Sequence, residues 1–162
     1  MAVSARCTAD EAFPGALMRP ASRIPFVDLL GFEFGAWEGG RSEVALTLRE
    51  ELCNSWSVVH GGVTMTLLDV AMARAARSPN QPGHAHSAGV VTIEMKTSFM
   101  RPGIGRIVAR GSLLQRTPTM AFCEASAFDE AGERIAHATG TFKYLAGLPA
   151  GGRKIHSPDA SD

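Results

Sequence analysis

Apolar and polar positions change period twice along the chain. Over 43–48, Val44, Leu46 and Leu48 alternate with Glu43, Ala45 and Thr47. A period of two places alternate side chains on opposite faces and predicts a strand with one apolar side. A preceding run over 32–37, with Glu38-Gly39-Gly40 as the turn, completes a predicted hairpin, and a short helix over 24–30 stops at Gly31. The stretch 61–76, GGVTMTLLDVAMARAA, has another character. After its first two residues it lacks Gly and Pro, and Leu, Met and Ala favour helix. Its apolar residues surround nearly the whole circumference, as in a helix buried on most sides. Sixteen residues would span about 24 Å.

Beyond a predicted loop over 78–83 the period returns to two. In 90–99, Val91, Ile93, Met95, Thr97 and Phe99 alternate with Thr92, Glu94, Lys96 and Ser98. Pro102-Gly103, Thr117-Pro118-Thr119 and 130–133 then turn the chain into strands over 106–114, 120–128 and 135–145. Short connections favour antiparallel neighbours. A greasy helix with one sheet available must lie against it, and the sheet must curl around the helix. The expected class is α+β, an antiparallel sheet of five to six strands wrapped around one long central helix. Residues 1–22 read as a loose leader, 23–146 as the folded domain and 147–162, rich in Gly, Pro, Ser and charge, as a mobile tail.

Charge and cysteine content narrow the function. Sixteen basic and sixteen acidic residues cancel, which gives no concentrated positive surface for nucleic acid. Cys7, Cys53 and Cys123 are odd in number, widely spaced and without a CxxC pair, so they read as reduced thiols in a cytoplasmic protein. The first residues show no secretory pattern, and no segment approaches the roughly 18 uninterrupted apolar residues of a membrane span. His84 and His86 offer two nitrogens but no third ligand nearby, so no metal is expected.

The chemistry concentrates in Asn54-Ser55-Trp56-Ser57-Val58-Val59-His60-Gly61-Gly62, followed by Asp69. The first amides of a helix lack intrahelical acceptors and lie at the positive end of its dipole. Glycines there let another atom approach the backbone, which suits a carbonyl oxygen gaining negative charge. They also serve simply as a tight entry into the helix. Asp69 stands inside the apolar helix with no basic residue three or four positions away. Such a carboxylate must reach water, a cleft, a partner subunit or a partner residue elsewhere in the fold. It is seven residues from Gly62, about two turns, and so on the same face. His60 can contact a carbonyl oxygen or fix the turn, and Asn54 alone is an ordinary loop residue.

The combination Asn-x5-His-Gly-Gly-x6-Asp, with TIEMKTSFMRPG and the closing ATGTFKYL, resembles hotdog-fold acyl-CoA thioesterases of the phenylacetic-acid-pathway type over roughly 31–145. The hotdog fold has the arrangement expected above. The resemblance implies Asp69 as nucleophile or general base, with an amide at Gly61 or Gly62 polarising the thioester carbonyl. It further implies that Asn54 holds water or substrate, that His60 supports the carbonyl side, and that Ser87 helps to place the water. Asp69 and the His-Gly-Gly turn would come from different subunits, giving a homodimer and often a homotetramer. Ser57 departs from the pattern, since relatives often have glycine there. No cofactor is implied, because coenzyme A is part of the substrate. Its phosphates call for guanidinium groups. The resemblance slightly favours Arg101 and Arg116 for this over Arg106 and Lys143, and each of the four reads equally as a solvated surface charge. Trp56, Met65, Met72, Phe99 and Met100 suggest an acyl pocket. Two other functions fit the same residues: a hydratase or dehydratase acting on acyl thioesters, and a module that binds acyl-CoA without turnover.

Overall fold

The computed structural model describes residues 24–78 and 89–145. The leader, the tail, His84, His86 and Ser87 lie outside the described residues. Helix α1 (Pro25–Leu30) precedes the hairpin of β1 (Glu33–Glu38) and β2 (Arg41–Thr47). A 3-10 turn (Glu50–Leu52) and an irregular loop lead to α2 (Gly61–Ala76). Then come β3 (Gly89–Phe99), β4 (Arg106–Arg116), β5 (Met120–Phe128) and β6 (Arg134–Leu145). The six strands form one sheet in the order β1-β2-β4-β5-β6-β3, with every pair antiparallel. This is the expected α+β arrangement, with α2 against the sheet.

Two connections differ from a simple meander, β2 to β3 through α2 and the short link from β3 to β4. β3 and β4 are joined by six residues, yet β3 pairs with β6 while β4 pairs with β2 and β5. The segment between them crosses the end of the sheet, where Gly105 O accepts from Leu48 N–H and Gly103 O from Val59 N–H, both at 2.9 Å. Phe99 is thereby carried to the start of α2, where its ring would lie 3.5 Å from a Cβ added at Gly61.

Leu67, Leu68, Ala71, Met72, Ala75 and Ala76 of α2 are fully buried. They meet a sheet face built from Val44, Leu46, Ile107 and Phe142 among small residues such as Ala109, Ala121 and Ala138. Full burial of one Leu is worth about 1.5–3 kcal/mol. The helix comes closest at Gly111, where an added Cβ would lie 2.5 Å from the Ala71 carbonyl oxygen. Across the β2–β4 register from Gly111, Ser42 donates from Oγ to the same carbonyl at 2.5 Å. The close approach therefore also satisfies a buried polar atom.

The alternation in β3 does not run unbroken. Its register against β6 slips between Thr92 and Glu94. A bulge adds one residue and reverses which parity faces inward. Thr92 pairs with the buried Phe142, whereas Ile93 is 53% exposed. Val91 pairs with exposed Lys143, so Val91, Ile93 and Met95 do not share one face as the pattern predicts.

Candidate active site

The start of α2 is fixed by His60, its N-cap, whose extended backbone (φ −65°, ψ 137°) leads into the first turn. His60 Nδ1 accepts from Gly62 N–H at 3.0 Å. An accepting Nδ1 in a neutral imidazole leaves the ring proton on Nε2. The two glycines consequently differ. The Gly62 amide is engaged, while no acceptor among the described residues takes the Gly61 amide. A free N–H at the first position of a sixteen-residue helix is a suitable donor for an oxygen acquiring charge.

The loop before His60 is tightly organised. Asn54 Oδ1 accepts from Trp56 N–H at 2.9 Å and from Val58 N–H at 3.4 Å. Backbone bonds join Asn54 N–H to Val58 O and Ser57 N–H to Asn54 O. Asn54 thus spends its side-chain carbonyl on the loop, as Asn does in Asx turns. Ser57 has φ 58° and is the one described non-glycine residue with positive φ. Left-handed backbone at this position accounts physically for a preference for glycine.

Asp69 lies halfway along α2, half-buried, on a stripe with Gly62, Met65 and Thr66 that the chain's own sheet leaves partly open. Thr66 Oγ donates back to Gly62 O at 2.9 Å. Asp69 Oδ1 accepts from the Thr92 hydroxyl at 2.7 Å. Burial raises the Asp69 carboxyl above the ordinary carboxylate range, and the Thr92 hydrogen bond partly offsets this. No ion pair to Asp69 occurs among the described residues. Thr92 was invisible in a strictly alternating reading, since the bulge at Ile93 is what turns its hydroxyl to the helix. A hydroxyl residue in an apolar strand, just before the slip, was the available signal.

The basic candidates do not converge. Arg101 makes a 3.4 Å ion pair with Glu133 and donates to Arg134 O, beside the segment that passes the His-Gly-Gly turn. Arg116 lies at the opposite end of α2, where it donates to Ala76 O and covers the Tyr144 ring at 5.4 Å. A helix of this length separates its two ends by about 24 Å. Arg106 pairs with Glu33 at 2.6 Å, and Lys143 is exposed. Of the apolar candidates, Met72 belongs to the core and is fully buried. Trp56, Met65, Phe99 and Met100 are exposed at 82%, 38%, 54% and 51%.

Fold and site together define a hotdog domain with an acid inside its central helix and a free amide at that helix's start. The thioesterase superfamily model matches residues 57–136, a span that holds His60, Gly61, Gly62 and Asp69. The chain is 27% identical over 152 residues to the medium/long-chain acyl-CoA thioesterase YigI of Salmonella typhimurium, covering 86% of this chain and 98% of that protein. It is 30% identical over 103 residues to a protein of Halobacterium salinarum that carries an esterase name, covering 62% of this chain and 67% of the relative. The phenylacetic acid degradation protein PaaI of Thermus thermophilus, solved as a mutant, superposes with a TM-score of 0.65 at 26% identity, over 75% of this chain and 100% of that one. The chain belongs to the thioesterase superfamily and is by class a thioester hydrolase.

Proposed function

We propose that the chain hydrolyses acyl-CoA thioesters to the free acid and coenzyme A. The carbonyl would be polarised by the Gly61 amide and attacked with the help of Asp69. The carrying observation is the Asp69 niche: a half-buried carboxylate, without a cationic partner among the described residues, oriented by Thr92 on the open stripe of α2. Acids with perturbed ionisation cluster at functional sites. The YigI relative, named for acyl-CoA substrates, supports the substrate class.

Geometry adds a requirement. Asp69 follows Gly61 by eight residues, an axial distance of about 12 Å. A carbonyl held by a donor at about 3 Å and attacked from about 3 Å cannot bridge that gap. If both groups act on one carbonyl, they belong to different copies, and a two-fold arrangement gives two identical sites. β3 ends the sheet with an open edge of eleven residues and an exposed Ile93, which favours pairing with another strand. The reading therefore includes a homodimer, with homotetramers as pairs of dimers. It also includes a cytoplasmic location, in keeping with the free thiols of Cys53 and Cys123.

Within a site, Asp69 is either the nucleophile on the carbonyl carbon or the base that takes a proton from the attacking water. Charge on the carbonyl oxygen is met by the Gly61 N–H. Collapse of the adduct expels the coenzyme A thiolate, which takes up a proton. On the base route this yields the free acid directly; on the nucleophile route it leaves an anhydride on Asp69 that water then hydrolyses to the acid and the free carboxylate. His60, through Nδ1, keeps the turn closed so that the Gly61 amide stays aimed outward. The test is thiol release from a panel of aryl- and alkyl-CoA thioesters. Release by the wild type that disappears in Asp69→Asn is expected; no release from any thioester by folded protein would remove the reading.

A further inference from the structure

We propose that Trp56 grips the acyl chain and gives the enzyme its preference for acyl groups long enough to reach that side chain, an inference that rests on the thioesterase reading above. Among the described residues Trp56 is the most exposed of the large apolar side chains, at 82%. Its backbone is nevertheless held by the Asn54 carbonyl at 2.9 Å, and its neighbour Ser57 adopts a left-handed conformation that a serine rarely takes. The antiparallel bridge between Cys53 and Val59 closes the base of the loop. An ordered loop that accepts strain to hold an indole in solvent is a platform for something apolar.

Position and charge decide between the two halves of the substrate. The loop leads into Gly61, so a thioester carbonyl at that amide has one end directed past the loop. Phe99, whose ring borders Gly61, and Met100 next to it are also half exposed, so the loop side of the turn is apolar. Methionine and aromatic rings adapt to flexible alkyl chains. The phosphates of coenzyme A would find little free positive charge there, because Arg101, next to Met100, is engaged by Glu133 and the Arg134 carbonyl. Glu50 and Glu51 stand exposed at the stem of the loop. Arg49, the nearest cation in sequence, is spent on the carbonyls of Leu29 and Leu30 and on Glu51.

The chain has two tryptophans, which makes a direct test available. Trp37 donates from Nε1 to Arg74 O at 2.7 Å, within a packed cluster away from the loop. In full-length Trp37→Phe protein, Trp56 is the sole indole. Its emission should move to shorter wavelength on adding S-decyl-coenzyme A, a thioether that cannot be hydrolysed, and stay in place with free coenzyme A. A shift with free coenzyme A would overturn the proposal in favour of stacking on the nucleotide. Emission already at short wavelength and indifferent to both compounds would overturn it in favour of burial against a second copy. In otherwise unaltered protein, Trp56→Ala should lower the ratio of decanoyl to acetyl kcat/KM at least tenfold, whereas an equal fall for all chain lengths would contradict the assignment. The fluorescence arm reads binding alone, so absence of thiol release would count against thioester hydrolysis without deciding where Trp56 binds.

Discussion

The two sides of α2 obey different rules. Toward the sheet, Leu67, Leu68, Ala71 and Met72 are sealed, and at Gly111 there is no room for a single methyl group. Toward the open side, Gly62, Met65, Thr66 and Asp69 leave polar atoms and an unfilled surface. The sealed side holds the helix in place, and the open side bears the cost of a carboxylate that burial disfavours. Precision on one side is what permits a poorly solvated acid on the other. Substitutions on the two sides should therefore fail in different ways: function without stability loss on the open side, stability first on the sealed side.

Asp69→Asn is expected to have the largest effect, a fall in kcat on the order of 10³-fold or more if Asp69 is the reacting group. Its melting temperature should not fall. The sign follows from the raised carboxyl: between its unfolded and folded pKa values the native state binds more protons, so wild-type stability declines as pH rises through that window. The Asn variant escapes this decline, and melting curves from pH 4 upward should show its advantage growing until the folded carboxyl is fully ionised. Gly61→Pro comes next. His60 already has the backbone that a following proline requires, and proline is accepted at the first helical position. The replacement thus deletes the free amide while keeping the helix. A loss of about 10²–10³-fold in kcat with unchanged circular dichroism is expected.

On the sealed side, Gly111→Ala should cost about 1–3 kcal/mol, because backbone rather than a flexible side chain stands in the way. Chemical denaturation measures it, and an unchanged midpoint would show that the helix can be pushed off the sheet at no cost. Among the changes on the open side, the smallest effect belongs to Thr92→Val. Losing a hydrogen bond to a charged group is worth about 1.5–3 kcal/mol, roughly one to two orders of magnitude if felt wholly in the transition state. Since the Thr92 hydroxyl lowers the Asp69 pKa, the acid limb of the pH–rate profile should move to higher pH. A reduced rate with an unmoved limb would make Thr92 a packing residue only.

What could be read before folding was what depends on neighbours in sequence. The long helix, its glycine start and the isolation of Asp69 all follow from spacing within sixteen residues. The six strands followed from alternation and turns. Relations set at long range were out of reach. That Arg101 and Arg116 lie at opposite ends of α2 depends on strand order, which the short link between β3 and β4 disguises. That Thr92 meets Asp69 depends on a one-residue slip in pairing. The different fates of the Gly61 and Gly62 amides depend on which ring nitrogen of His60 turns inward. Met65 and Met72 lie seven residues apart on one helix face, yet Met72, packed at Gly140 of β6, is buried and Met65 is not.

If the site is shared between two copies as proposed, the spacing of Gly61 and Asp69 along one rod has a genetic consequence. A site that draws its amide from one copy and its acid from another is inactivated by damage to either. Asp69→Asn and Gly61→Pro chains, each inert alone, would on mixing form hybrid pairs in which one site inherits both defects and the other inherits neither. Two dead alleles would then restore part of the activity between them, while a cell carrying one good and one bad copy would retain a working site in every mixed pair.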